Sequence, residues 1–180
     1  DNFAKSPELN MVFPTPQQFT KDDYALKFFG ELFSLCKKSP LYKVVVEEKK
    51  LAPSVNAYQN TQEIAGEFTI TIRAFPDKSL DDVEKAVMEA FERSDKEGFT
   101  DKDLNRVKAR IETQFYNQIS SVLGKSFQLA SYNTFTGSPD FVTTDLKNLL
   151  SVSKEDVMNA YNKYVKNKPF VATSFVPKGS

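Results

Sequence analysis

The chain has 180 residues, of which 40% are hydrophobic and 27% charged, a composition typical of one soluble globular domain. Its 24 basic residues balance its 24 acidic residues, so neither nucleic acid nor an anionic membrane is expected as a partner. The sequence contains no histidine and a single cysteine, Cys36. This composition excludes Ser-His-Asp and Cys-His catalysis and every zinc site built from histidine or several cysteines.

The first third of the chain predicts a strand, two helices and a second strand. Residues 9–13 alternate between apolar and polar positions before Pro14. An N-cap at Thr20 then precedes apolar residues at helical spacing, which place Cys36 on the core-facing stripe. A second helix is predicted from Leu41 to about residue 50.

From residue 51 the hydrophobic period changes to two, which predicts a β-hairpin. The first strand carries Ser54, Asn56 and Tyr58 on one face, and a polar turn is expected at residues 59–63. The second strand, residues 67–75, alternates in the same way and is expected to pair antiparallel with the first.

The rest of the chain is predicted to be mainly helical and to end in a strand at residues 170–176. Caps at Ser79, Thr100 and Ser153 begin three of the helices, and Gly124 is expected to separate the helix that begins at Thr100 from the next one. One helix has a very regular apolar stripe that is expected to face the core, namely Leu104, Val107, Ile111, Phe115, Ile119 and Val122. Because strands cluster and then give way to helices, the order predicts a single α+β domain over residues 1–180.

The acid pair Glu47-Glu48 is the one motif that could suggest acid–base or metal chemistry. Lys49 and Lys50 follow it directly, and mixed charges at a helix end usually form a solvated face. The residues alone therefore predict a well-packed domain without a self-contained active site.

Several segments, in order, resemble the second, non-catalytic half of the pitrilysin-type zinc peptidases. This family of inverted zincins includes insulin-degrading enzyme and the mitochondrial processing peptidase. The similar segments are DDYAL at residues 22–26, SPLYKVVVEEKKLA at 39–52, GEFTITI at 66–72, GFTDKDL at 98–104 and VSKEDV at 152–157. Together they cover nearly the whole chain.

The resemblance implies the LuxS/MPP-like metallohydrolase fold, in which helices cover one side of an antiparallel sheet. It also implies a separate catalytic half, whose His-x-x-Glu-His motif binds zinc and which, with this half, encloses a chamber for peptides. This chain lacks that motif, so alone it is expected to be inactive and without zinc. The family's partner half often supplies an Arg and a Tyr to the substrate, but the matching positions here are Val46 and Pro53.

The resemblance further implies that the strand of Ser54, Asn56 and Tyr58 binds peptide through its backbone. An ordinary paired strand is the alternative interpretation. For the whole chain, the alternatives are a scaffold or assembly domain without a proteolytic role and, more remotely, a stand-alone enzyme that uses carboxylates alone. The chain is expected to be a fragment of a longer bacterial protein, in the periplasm or cell envelope, without membrane insertion.

Overall fold

The computed structural model describes residues 5–176, which form four strands and seven α-helices. The elements are β1 (Glu8–Thr15), α1 (Lys21–Ser34), α2 (Pro40–Tyr42) with a following π-helical turn (Lys43–Glu48), β2 (Asn56–Thr61), β3 (Gly66–Arg73), α3 (Leu80–Glu97), α4 (Asp101–Gln118), α5 (Val122–Thr136), a 3-10 turn (Pro139–Phe141), α6 (Val142–Ser151), α7 (Lys154–Tyr164) and β4 (Val171–Phe175). No helix among them is long and apolar enough to cross a bilayer.

The strands form one antiparallel sheet in the order β2-β3-β1-β4. Side chains alternate between the two faces of each strand, and those on the face covered by the helices are buried. They include Leu9, Met11 and Phe13 of β1. The opposite face carries polar pairs such as Arg73 with Glu8. The predicted α+β class, with helices on one side of an antiparallel sheet, is confirmed.

Aromatic rings fill the space between the sheet and the helices. The ring of Phe29 on α1 stacks on Phe33 at 5.3 Å and on Tyr161 of α7 at 4.5 Å. Phe33 in turn stacks on Phe91 of α3 at 4.8 Å. Stacked rings at these spacings add to the hydrophobic burial that holds α1, α3 and α7 together.

The helix starts expected from the sequence are confirmed. The side chain of Thr20 accepts a hydrogen bond from the amide of Asp23, and that of Ser79 accepts one from Asp81. Thr100 and Ser153 each form a reciprocal capping box with the aspartate three residues later.

Two helix boundaries differ from the prediction. The second helix is one short α-helical segment that widens into a π-helical turn, in which Val44 and Val45 are buried. Helix α4 ends at Gln118, and Gly124 lies inside α5 rather than between the two helices. Ser121 is the N-cap of α5, with its hydroxyl oxygen accepting the Gly124 amide, and this cap sets the break.

The regular apolar stripe of α4 is buried along only part of its length. Leu104 and Val107 are buried, whereas Phe115 and Ile119 are half-exposed and Val122, beyond the helix, is 84% exposed. Ile111 is partly buried and still packs against the core. The expectation of a core-facing stripe is therefore wrong only beyond Ile111, because the end of α4 extends past the elements that cover its start.

Cys36 is partly buried and lies outside α1, which ends at Ser34. Its sulfur is 3.8 Å from a guanidinium nitrogen of Arg106, at the wall of a small cavity of about 100 Å³. The expectation of a core cysteine on the helix stripe is wrong, because the helical period stops before this residue.

Candidate peptide-docking edge

The hairpin strand β2 is an edge of the sheet, since β3 is the only strand among residues 5–176 that pairs with it. It begins at Asn56 and runs to Thr61, into the region where a turn was expected. Ser54 lies ahead of the strand in an exposed loop, so the predicted strand start is wrong by two residues. The preceding Leu51 is instead held by hydrogen bonds to Val45 and Phe75, which tie the chain to the end of the sheet.

The backbone amides of Asn56 and Tyr58 point into the sheet. In an antiparallel ladder, alternate residues direct their amide and carbonyl groups towards the partner strand. The amide of Ala57 donates to the hydroxyl oxygen of Ser34 on α1, at 3.1 Å, so the odd-numbered residues of β2 face outward. The side chains of Asn56 and Tyr58 are exposed on the sheet face without helices, but their amides are directed at β3.

Helix α1 covers the edge of β2 at Ala57. An ideal Cβ on Gly30 would lie 2.7 Å from the Ala57 carbonyl oxygen, so only glycine permits this approach without a shift. One turn later, the Ser34 hydroxyl is buried against the same residue. Gly30 and Ser34 were not predicted as contact residues; their signal in the sequence is that two small residues lie four positions apart within an apolar helix stripe.

Beyond Ala57 the edge of β2 is open. The alternation makes the amide of Gln59 face outward, and no group in residues 5–176 accepts a hydrogen bond from it. The Gln59 side chain donates to the hydroxyl oxygen of Thr15 at 2.7 Å and so lies on the helix side of the sheet. Gln59 and Thr61 are therefore the residues in this part of β2 whose backbone groups face away from β3, where another strand can reach them.

The two positions where the resemblance implied an Arg and a Tyr carry no substitute for them. Val46 is half-buried in the π-helical turn, and Pro53 is exposed in the bend before β2. Neither side chain can donate a hydrogen bond or carry a positive charge.

The acid pair Glu47-Glu48 ends this turn, and Glu48 forms an ion pair. Glu48 accepts two hydrogen bonds from Arg93 of α3, at 2.6 and 3.0 Å, and these bonds lower the pKa of the Glu48 carboxyl. Glu47 is exposed. Within the described part of the chain, no three side chains of the types that bind metals come together.

A second group of polar residues is buried under the helices. The carboxylate of Asp145 accepts hydrogen bonds from the hydroxyls of Tyr24, at 2.5 Å, and Tyr132, at 2.6 Å. Burial, together with the hydrogen bond to Asp145, raises the pKa of both tyrosines well above its usual range. The two hydrogen bonds join helices α1, α5 and α6 through one carboxylate.

Residues 2–111 match the family model described as the peptidase M16 inactive domain. The chain belongs to this family. Its resemblance to the non-catalytic half of the pitrilysin-type peptidases is thereby confirmed, and the M16 inactive domain explains why no catalytic zinc motif is found in the sequence.

Among curated proteins, this M16 inactive domain is 27% identical over 164 residues to a protein of Bacillus subtilis described as a probable inactive metalloprotease, YmfF. The match covers 89% of the chain but 37% of YmfF, so the chain spans little more than a third of that relative.

Solved structures show the same fold. The inactive peptidase domain of a protein described as a zinc protease from Bordetella parapertussis has a TM-score of 0.85 at 15% identity, covering 96% of this chain and 93% of that one. The periplasmic protease PqqL from Escherichia coli has a TM-score of 0.75 at 14% identity, covering 98% of this chain and 20% of PqqL.

Proposed function

We propose that this M16 inactive domain helps enclose a chamber and holds peptide substrates for hydrolysis by a separate catalytic half. The catalytic half, in the same parent chain or in a separate subunit, would carry the zinc ion. Family membership supports a non-catalytic role within a peptidase. The small share of YmfF and PqqL that the chain covers supports a parent protein with further domains.

The observation that carries the peptide-holding role is the open edge of β2. An extended peptide can add to an exposed strand through main-chain hydrogen bonds, which do not depend on its sequence. We place the peptide along residues 54–61, with its backbone at Gln59 and with the side chains of Ser54, Asn56 and Tyr58 beside it. Ser34 occupies the edge at Ala57, so the peptide's hydrogen bonds would concentrate on the second half of the strand.

This geometry decides which substitution tests the docking. Asn56→Pro is unsuitable, because the Asn56 amide faces β3 and its loss would weaken the sheet itself. Gln59→Pro removes an outward-facing amide and leaves the ladder to β3 intact. Gln59→Ala is the matched control, since it removes the same side chain and keeps the amide.

In the parent peptidase with its catalytic half present, Gln59→Pro should weaken peptide binding about two- to tenfold, the loss expected for one hydrogen bond. Gln59→Ala should bind peptide as the parent does. Peptide affinity by fluorescence anisotropy, together with circular dichroism to check folding, measures both. Equal affinities for the two variants would overturn the docking assignment and favour a scaffold or assembly role.

The periplasm or the cell envelope is the proposed location of the parent protein. PqqL, a periplasmic protease, shares the fold, and this supports the assignment by analogy. Fractionation of cells that express the full parent gene, followed by immunoblotting for this domain, tests it.

A further inference from the structure

Strand β4 is the other edge of the sheet, and all five of its residues are exposed. It pairs with β1 without a bulge, from Val12 opposite Val171 to Glu8 opposite Phe175. At the β2 edge, in contrast, α1 approaches closely and Ser34 takes up one of the outward amides. β4 is therefore the less protected of the two edges.

The pairing of β1 identifies the backbone groups that β4 leaves open. The amide of Ala74 donates to the carbonyl of Pro7, which places the odd-numbered residues of β1 towards β3 and the even-numbered ones towards β4. The β4 residues opposite them, such as Thr173, direct their backbone groups at β1. Ala172 and Ser174 consequently present their amides and carbonyls outward.

The sequence of this edge lacks the features that usually prevent strand association. Natural edges are protected by charged residues, bulges or prolines within the strand. Residues 169–176 carry no charge, and the only proline, Pro169, precedes the strand. Two apolar side chains on the helix-free face, Val171 and Phe175, are 61% and 54% exposed.

We propose that β4 pairs antiparallel with β4 of a second copy of this chain, about a two-fold axis through Thr173. In this register Ala172 of one copy exchanges both backbone hydrogen bonds with Ser174 of the other. Val171 of each copy lies opposite Phe175 of its partner, and β-branched–aromatic pairs across strands are favourable. The sheets of the two copies become one continuous sheet.

We expect a second copy of the chain, rather than another peptide, to pair with β4 because this strand is complementary to itself. A peptide of arbitrary sequence would gain only the backbone hydrogen bonds. The two-fold register also covers the exposed side chains of Val171 and Phe175 in both copies. Small side chains, Ala172 and Ser174, face each other on the opposite side, and no like charges meet within the paired strands. A two-fold dimer is also the commonest oligomer, and a contact limited to one strand gives a weak, concentration-dependent one.

Sedimentation-velocity measurements over a range of concentrations test the dimer with the 180-residue chain. The unmodified 180-residue chain should shift from monomer towards dimer as its concentration rises. Ser174→Pro removes an outward amide from each copy and should raise the dimer dissociation constant about tenfold or more. Ser174→Ala keeps the amide and should dimerise like the unmodified 180-residue chain.

A pair of double variants tests the register independently of proline. Val171→Lys with Phe175→Glu places opposite charges against each other across the axis and should dimerise. Val171→Lys with Phe175→Lys places like charges there and should remain monomeric. The proposal would be overturned if the unmodified 180-residue chain stays monomeric at every concentration. It would also be overturned if the Lys/Lys variant dimerises as well as the Lys/Glu variant.

Discussion

Asp145 is a buried carboxylate that holds hydroxyl groups from two other helices. It is 7% exposed, and it accepts from Tyr24 on α1 and from Tyr132 on α5. Charged acceptors form stronger hydrogen bonds than neutral ones, and a buried carboxylate that loses a donor keeps its desolvation cost. The cluster therefore contributes to the stability of the helical layer.

Tyr132→Phe should destabilise the domain by about 1–3 kcal/mol, because it leaves one buried oxygen of Asp145 without its donor. Urea unfolding followed by circular dichroism measures the change. Tyr116→Phe is the control, since Tyr116 is 51% exposed and should give a change within about 0.5 kcal/mol. Similar values for the two variants would contradict the role assigned to the cluster.

The same tyrosines predict a loss of stability in alkali. Burial raises the pKa of Tyr24 and Tyr132 in the folded chain, whereas an unfolded tyrosine has a pKa of about 10. Between these values the unfolded chain releases protons that the folded chain keeps, so the free energy of unfolding falls as pH rises above about 10. Urea midpoints at increasing pH should fall less steeply for a Tyr24→Phe, Tyr132→Phe variant than for the parent; parallel curves would refute the prediction.

At the scale of elements, the contact between α1 and the edge of β2 depends on two small residues. Gly30 permits the close approach to Ala57, and the buried Ser34 hydroxyl accepts the Ala57 amide at 3.1 Å. The hydroxyl also donates to the carbonyl of Gly30, one turn earlier. The Ser34 side chain thus satisfies an edge amide that none of the four described strands pairs with.

Ser34→Ala should cost about 1–3 kcal/mol, because the buried amide of Ala57 loses its acceptor. Ser126→Ala is a matched control: the Ser126 hydroxyl also donates to the carbonyl four residues earlier, but on the exposed surface of α5. The control should change the free energy of unfolding by less than about 0.5 kcal/mol. Thermal and urea unfolding measure the stability of both variants. Equal losses of unfolding free energy would show that the contact between Ser34 and Ala57 is not the cause of the destabilisation.

At the scale of the whole molecule, the core does not extend along all of the helical layer. Helix α4 contributes Leu104 and Val107 to the core. Much of α5 lies outside the core, and Phe127 on this helix is 70% exposed. The apolar pattern of the sequence is continuous across both regions. Stability should therefore depend on where a residue lies along this layer rather than on its hydrophobicity.

Leu104→Ala should lower the free energy of unfolding by about 2–5 kcal/mol, the range for a buried leucine whose removal leaves a cavity. Phe127→Ala removes a larger side chain but should cost less than about 1 kcal/mol, because most of that ring is in solvent in the folded chain as well. Urea unfolding of both variants tests the boundary of the core. A larger loss for Phe127→Ala would mean that α5 is covered in solution.

Local patterns predicted the elements with good accuracy. The caps at Thr20, Ser79, Thr100 and Ser153 occur as expected, because a cap depends on residues three or fewer positions apart. The sequence pattern located strand β2 but missed its start and its outward-facing amides. Those depend on the register with β3 and on the position of α1, which periodicity does not contain.

The amino-acid sequence by itself determined the α+β class, the alternation of buried and polar strand residues, and the exclusion of histidine-based chemistry. These follow from composition and from interactions between near neighbours in the chain. Only the tertiary structure decided that the Ser34 hydroxyl accepts the outward amide of Ala57, that no group within residues 5–176 accepts the amide of Gln59, and that β2 and β4 are the two edges of the described sheet. Such facts depend on which elements meet in space, and the burial of a backbone group is a property of the packed assembly rather than of its residue.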